Sequence, residues 1–392
     1  MKAAPPARAR ALRDAHWLTA DRLNAATQVW IFVMAGILSS IPWTKPTMQI
    51  GRDFAAFWVA ARLAWDGQAA SSYGDAEPAM LVGMFGGGGY PPFFYPPVAL
   101  LLWLPFAALP FAAAMAIWLC LTGAAFAAAI RSVAGSRMVV TALACPAAIV
   151  CGLYGQNGLL SAALLGAAAA TLERSPVVAG MLIGCFAYKP QLAVLAPVTL
   201  ALAGRWRAFA GAAVTAVVLI AFSMLAFGVG SWTAFIAALP RAEAWNANGV
   251  PGFGKFVSPY AAMRLLGASA AWAWEVQGVC AAAVLALLVL VVRRRPGGSA
   301  EIVMMVATLA FWVPFLGEYD LPIFAIPAAW LVSEAVRTGW LPYERLTVMG
   351  LYLAPAVVTL ASGYGVPLGP PALAVLTVSV ARRMPRRELG RR

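Results

Sequence analysis

Apolar residues run along this chain in long blocks, broken at intervals by short polar clusters. The blocks fall at about 27–43, 110–130, 138–153, 159–172, 176–188, 190–203, 208–228, 271–292, 300–316, 321–335, 346–360 and 370–381. A helix needs about 20 apolar residues to cross a bilayer. The blocks therefore predict an all-α polytopic membrane protein, a bundle of about twelve transmembrane helices with helices in its outer loops. Several blocks fall short of that length and must borrow flanking residues or sit in thinned bilayer. Residues 96–109 (PPVALLLWLPFAAL) are also apolar enough to span, but counting them would invert every later loop. The prolines Pro105 and Pro110 favour a re-entrant or interfacial helix there.

Composition supports the membrane reading. Hydrophobic residues make up 62% of the 392, charged residues only 11%, and the mean hydropathy is +0.80. Soluble domains are about 45–50% apolar and about 25% charged. The net charge of +13 raises nucleic acid as a partner, but the placement of the charge argues otherwise. With the N-terminus inside, Lys45, Arg52, Arg62, Lys189, Arg241, Lys255 and Arg264 lie outside and the other 21 of the 28 basic residues inside. That bias is the positive-inside pattern. Eight of the fifteen acids (Asp53, Asp66, Asp75, Glu77, Glu243, Glu275, Glu318 and Asp320) fall on the outer side. The expected setting is thus a bacterial plasma (inner) membrane with both termini cytoplasmic and no nucleic-acid partner. The first 26 residues lack the apolar core and small-residue cleavage site of a signal peptide. None of the five cysteines has CxxC spacing, so no zinc site or disulfide framework is indicated.

Four regions follow: a basic cytoplasmic N-terminus (1–26), a catalytic transmembrane module (27–240) with a long outer loop (44–95), a variable C-terminal transmembrane module (241–381) and a basic cytoplasmic tail (382–392). Long loops on one face of a bundle are where function concentrates, and the two longest, 44–95 and 229–270, both lie outside. In the first, Phe54, Phe57, Trp58, Ala61 and Trp65 recur at helical spacing, which predicts a short amphipathic helix in the interface. Asp53 sits in its first turn beside Arg52, where Asp is a good N-cap and is also held rigidly enough for chemistry. Further on, FGGGGYPPFFYPP reads as a mobile loop with stiff aromatic walls. Its Tyr95 could stack on a sugar face or belong to the aromatic belt.

Three polar breaks share the outer boundary: GLYGQNG (152–158), YKPQ (188–191) and GEYDLP (317–322). Gln156, Asn157, Lys189, Gln191, Glu318 and Asp320 there form a ring. Ionisable groups at that depth are costly unless they are paired or line a wet cavity. The bland reading is that Lys189 snorkels and the amides satisfy loop carbonyls. The single histidine, His16, lies in the cytoplasmic segment, which removes histidine from any outer-face mechanism. There is no GxxxxGK[ST] motif for nucleotide-driven work. What remains outside is carboxylate, Lys, Arg, amide and Tyr. That set suits displacement of a phosphate leaving group: one carboxylate takes the proton of an acceptor hydroxyl, and cations hold the phosphate. A lipid-phosphate sugar is the donor available on a face without nucleotides.

GRDFAAFWVAARLAWDGQAASSY, FYPPVALLLWLPFAALP, YGQNGLLSAALLGAAAATLERSPVVAGMLIGCFAYKPQLAVLAPVTLALAGRWRAF and EYDLP together resemble glycosyltransferase family 87, densely over about residues 50–240 and sparsely after. The family belongs to the GT-C class of polyprenyl-phosphate-sugar-dependent enzymes and includes mannosyl- and arabinofuranosyltransferases. The resemblance implies transfer with inversion onto a hydroxyl of an extracytoplasmic glycolipid or glycan, a mannose-like hexose being favoured. It implies an outer-loop aspartate as general base, which maps onto Asp53. The family's boundary motifs map onto Gln156, Asn157, Lys189 and Gln191 as donor phosphate and sugar ligands, with Arg52 and Tyr95 beside them. Asp320 matches the later acidic turn. No cofactor is required, although Asp53 and Asp320 could hold a divalent metal if they converged. The competing reading is a transporter or flippase for lipid-linked sugar, disfavoured by spans nearly free of charge and by the absence of an internal repeat. The enzyme reading requires Asp53 and Lys189 to share one extracytoplasmic pocket.

Overall fold

The computed structural model describes residues 7–19, 22, 25–32, 50–87, 89–294 and 297–384. Among them every regular element is helical, with one isolated antiparallel bridge between Phe256 and Gly317. Five helices are long and apolar enough to cross a membrane: Phe111–Ala134, Trp206–Phe227, Ala270–Val292, Glu318–Thr338 and Glu344–Gly363. A sixth span exists if Ser136–Leu143 and Pro146–Tyr154, which meet at a bend of 55°, are one broken helix. The pattern of apolar blocks predicts twelve, so the count of twelve is not met among the described residues. The first predicted span, 27–43, lies largely outside them, its residues 33–43 not being described.

The discrepancy has a physical cause. A run of apolar residues reports burial, whether in lipid or in protein. Ala300–Phe311 of the helix Ser299–Trp312 are all buried among neighbouring helices. At about 1.5 Å per residue, that 14-residue helix is about 21 Å long, short of a bilayer core of about 30 Å. The helix Gly158–Thr171 has the same length and is likewise mostly buried. The blocks 176–188 and 190–203 are cut by Lys189–Pro190, where the backbone passes through 3-10 turns at Cys185–Tyr188 and Pro190–Ala193. Irregular backbone at membrane depth is tolerated where protein surrounds it, and each of these breaks carries a polar cluster into the interior.

The outer loop is more deeply packed than its amphipathic pattern suggests. The predicted interface helix forms as Arg52–Trp65, but Phe54 to Ala61 are all buried, and only its C-terminal Trp65 is exposed among the patterned residues. The chain that follows wraps it: the helices Ala76–Phe85 and Val98–Trp103 pack on it, and Trp103 stacks on Phe57 with ring centroids 4.1 Å apart. Residues 96–109 therefore make a six-residue helix and a 3-10 turn rather than a span. The loop 229–270 is also structured, with a 19-residue helix Val229–Ala247 that contains Pro240.

Contacts at the two ends of the helices separate cleanly. At one end the polar breaks around residues 156, 189 and 320 meet. At the other, Arg205 bridges Glu173 and Glu301, and Arg383 pairs with Glu344. The helix Gly158–Thr171 runs from the first set to the second. Segments that the charge pattern assigns to the cytoplasm thus contact one another, as do those assigned outside.

Gly158 sets the closest approach in this arrangement. A Cβ there would lie 2.0 Å from the carbonyl oxygen of Tyr319, so only glycine lets the start of its helix rest on the Glu318–Phe324 turn. Gly158→Ala should lower stability by about 3 kcal/mol, the upper part of the range for overpacked positions. Thermal unfolding in detergent checks this, and an unchanged midpoint would contradict the packing described.

Candidate functional site

The site forms where four chain segments end. Gly51 opens the Arg52–Trp65 helix with a left-handed φ of 64°, and its N–H donates to the Leu153 carbonyl at 2.7 Å. Glycine suits both demands, since a Cβ here would also meet Met115 Sδ at 2.9 Å. Gly51 therefore occupies the N-cap position, and Asp53 makes no capping bond. The capping role open to Asp53 on sequence grounds is not taken, and its carboxylate faces the neighbouring segment instead.

That segment is the turn Gly155–Asn157, between the helices Pro146–Tyr154 and Gly158–Thr171. Gln156 Nε2 donates to Asp53 Oδ2 at 2.8 Å, while Gln156 Oε1 accepts from the Asn157 N–H at 3.2 Å and from the Tyr95 hydroxyl at 3.4 Å. Asn157 Nδ2 donates to the Tyr95 hydroxyl at 2.9 Å. Lys189 Nζ donates to Asn157 Oδ1 at 2.9 Å and to Asp320 Oδ1 at 2.6 Å. Its ammonium also faces the rings of Tyr95 and Tyr319 at 5.6 and 5.5 Å. Asp53 and Lys189 thus belong to one continuous network, joined through Gln156, Tyr95 and Asn157. The N-terminal ends of two helices, Arg52–Trp65 and Gly158–Thr171, converge on it and favour negative charge there.

Burial is the dominant electrostatic influence. Lys189 and Asp320 are each 3% exposed as side chains, so their charges survive only as a pair. Asp53 is half-buried, and removal from water lifts its carboxyl above the usual carboxylate range. The Gln156 hydrogen bond opposes that lift, as do the charges of Lys255, Arg52 and Lys189 in that order. The result is a carboxylate more basic than a free one and aimed by an amide.

Seven of the eight residues singled out in the sequence lie at this site or border it: Arg52, Asp53, Tyr95, Gln156, Asn157, Lys189 and Asp320. Tyr95 takes part through its hydroxyl rather than as a belt residue. Gln191 does not join: it is exposed on the turn after Lys189 and lies outside the network. Glu318 lies beside it, accepting from Tyr154 at 3.3 Å and from Thr359 at 2.9 Å. The sequence reading missed Lys255, whose ammonium faces the Tyr154 ring at 5.3 Å. Its one signal was a lysine between glycine and phenylalanine in the second long outer loop. Asp53 and Asp320, offered above as metal ligands on convergence, are engaged separately by Gln156 and Lys189. Among the described residues no three His, Cys, Asp or Glu side chains converge as a metal centre would need.

Beside the network lies an apolar cavity of about 590 Å³, lined by the segment from Ile183 to Leu200, the helix Trp206–Phe227 and the start of the helix Val229–Ala247. Its lining includes Ile183, Phe209, Ile220 and Phe235, and it reaches Pro96 and Pro190, the neighbours in sequence of Tyr95 and Lys189.

Two outcomes test this electrostatic picture. Asp320→Asn leaves the Lys189 ammonium buried without its counter-charge and should cost about 3–5 kcal/mol, whereas Lys189→Met with Asp320→Leu should recover most of that loss. Thermal unfolding of the two variants measures it, and equal stabilities would refute the pairing argument. Activity that depends on ionised Asp53 should rise with pH through the carboxyl's lifted pKa. Gln156→Ala removes a donor that favours the charged form, so the acid limb of kcat/KM should move to higher pH; a shift to lower pH would contradict the assigned hydrogen bond.

Residues 93–316, more than half of the 392-residue chain, match glycosyltransferase family 87. The match covers Tyr95, Gln156, Asn157, Lys189 and Lys255, and it starts after Asp53 and ends just before Glu318. Comparisons with curated proteins and with solved structures found no match. By that match and the helical membrane architecture around it, the chain belongs to glycosyltransferase family 87.

Proposed function

We propose that this glycosyltransferase moves a sugar, with a mannose-like hexose favoured, from a polyprenyl phosphate to a hydroxyl of an extracytoplasmic glycolipid or glycan, with inversion. The observation that carries the reading is the hydrogen bond that aims Asp53 from Gln156 within a network whose Tyr95, Gln156, Asn157 and Lys189 lie inside the family match. In the reaction the acceptor oxygen attacks the anomeric carbon from the face opposite the phosphate. The bond from that carbon to the phosphate oxygen breaks and its electron pair stays on the phosphate. Asp53 takes the hydroxyl proton. The phosphate leaves as a stable anion and needs no general acid, so one carboxylate suffices, and a single displacement inverts the centre.

Burial raises the basicity of Asp53, and Gln156 and three cations act against that rise by favouring its charged form. Tyr95, Gln156 and Asn157 supply hydroxyl and amide groups suited to a sugar. Lys189 and Asp320 hold those groups in place, and Arg52 lies beside the base. The apolar cavity next to Tyr95 and Lys189 supports a donor whose sugar is carried on a lipid, since it offers a dry groove beside the polar network. The separation of the two charged ends of the bundle supports a site on the face away from the cytoplasm, in a bacterial inner membrane. Nothing in this chemistry requires a metal or cofactor.

Asp53→Asn preserves the size of the side chain and an oxygen for the Gln156 amide, but not the base. Transfer of radiolabelled hexose from polyprenyl phosphate to a glycolipid acceptor should fall by about 10²–10⁴-fold with the thermal midpoint unchanged. Near-normal turnover of this variant would remove Asp53 from the mechanism.

A further inference from the structure

The charges around the site do not balance in the way the boundary motif suggests. Lys189 is the most buried cation of the cluster, and its ammonium is already held by Asp320 and Asn157. A phosphate placed on it would have to compete with a carboxylate 2.6 Å away in a site of low dielectric. Lys255 and Arg52 differ: among the described residues neither forms an ion pair. Of the three cations whose charge acts on Asp53, Lys255 acts most strongly, and it also acts on Glu318.

Lys255 is held there by construction. It closes the 3-10 turn Phe253–Lys255, and the next residues are fastened to the segment that leads into Glu318. Phe256 bridges to Gly317, the Val257 N–H donates to the Leu316 carbonyl at 2.9 Å, and the Ser258 hydroxyl donates to the Pro314 carbonyl. The side chain itself is half-exposed, lying over the Tyr154 ring while Tyr154 donates to Glu318. A fastened backbone therefore presents a half-exposed ammonium, without an ion pair among the described residues, beside the polar network.

We infer that Lys255, and not Lys189, is the cation that binds the donor phosphate and takes up the charge it gains as the sugar departs. The inference rests on the glycosyl-transfer reading above and names the residue that serves its leaving group. A sugar linked to polyprenyl phosphate carries one negative charge on its phosphodiester. When the carbon–oxygen bond breaks, that electron pair makes the released polyprenyl phosphate a dianion. An ammonium in contact with it is worth more after cleavage than before, which is the differential stabilisation that accelerates a step. Lys189, matched by Asp320 at 2.6 Å, offers less net positive charge to that change.

The test uses the full-length protein in detergent, a polyprenyl-phosphate hexose of short chain as donor and unglycosylated polyprenyl phosphate as inhibitor. Lys255→Ala should lower kcat by about a hundredfold, the scale seen when one group stabilising a developing anion is removed. It should weaken inhibition by polyprenyl phosphate more than it raises the donor KM, because the dianion loses more than the monoanion. Lys255→Arg should restore most of both. Loss of the Lys255 charge should also move the acid limb of the pH profile upward, since that charge favours ionised Asp53. Unchanged kcat and unchanged polyprenyl-phosphate inhibition in Lys255→Ala would overturn the inference while leaving the transferase reading intact. So would a lowered thermal midpoint that Lys255→Arg fails to rescue, because Lys255 would then serve the fold. A wild-type protein that transfers no sugar from this donor would overturn the underlying reading and this assignment with it.

Discussion

The buried ion pair between Lys189 and Asp320 organises the site. Lys189 and Asp320 come from segments far apart in sequence, each at a place where an apolar block is interrupted, and they meet at 2.6 Å with almost no access to water. Burying two charges costs several kcal/mol each unless the geometry and the surrounding hydrogen bonds compensate. Here they do so by drawing in Asn157 and the faces of Tyr95 and Tyr319. The pair is a demanding way to join helices, and its value lies in what it holds still. With Lys189 fixed, Asn157 has one orientation, and through Tyr95 and Gln156 that orientation reaches Asp53.

The helix breaks and the chemistry are consequences of one another. A continuous span through residues 176–203 would satisfy its own backbone and leave no turn for Lys189. Interrupting it costs backbone hydrogen bonds but places a polar group inside the protein, where neighbouring helices shield it from lipid. The same applies at Gly155–Asn157 and at the Glu318–Phe324 turn. The polar groups that these three breaks carry inward satisfy one another through Gln156, Asn157, Lys189 and Asp320. Beside them stand an aimed carboxylate, an ammonium without an ion pair among the described residues and an adjoining apolar cavity, which together are what a lipid-carried phosphosugar would meet.

How much of this the sequence disclosed depends on the kind of signal. The boundary motifs were legible because polar residues are conspicuous inside apolar blocks, and Gln156, Asn157, Lys189 and Asp320 stand together as their placement implied. Asp53 was found, but its cap role was not separable from its site role, because the residue that takes the cap is Gly51, whose left-handed backbone leaves no mark in hydropathy. The number of spans was not legible. Ser299–Trp312 is as apolar as a true span because it is enclosed by other helices, and hydropathy cannot distinguish a protein neighbour from a lipid one. Lys255 was one of seven outer basic residues, and only the bridge between Phe256 and Gly317 shows that it joins Arg52 and Lys189 at the site. Gln191 illustrates the converse: it sits in the right motif, yet the turn at Pro190 directs it outward.

The central claim is a one-step displacement at a lipid-linked sugar phosphate, and the stereochemistry of its product tests that most directly. Purified protein incubated with a polyprenyl-phosphate hexose of defined anomeric configuration and a glycolipid acceptor should yield a glycoside of the opposite configuration, read by NMR of the isolated product. A product that retained the donor's configuration would require a covalent or otherwise two-step route and would contradict the account.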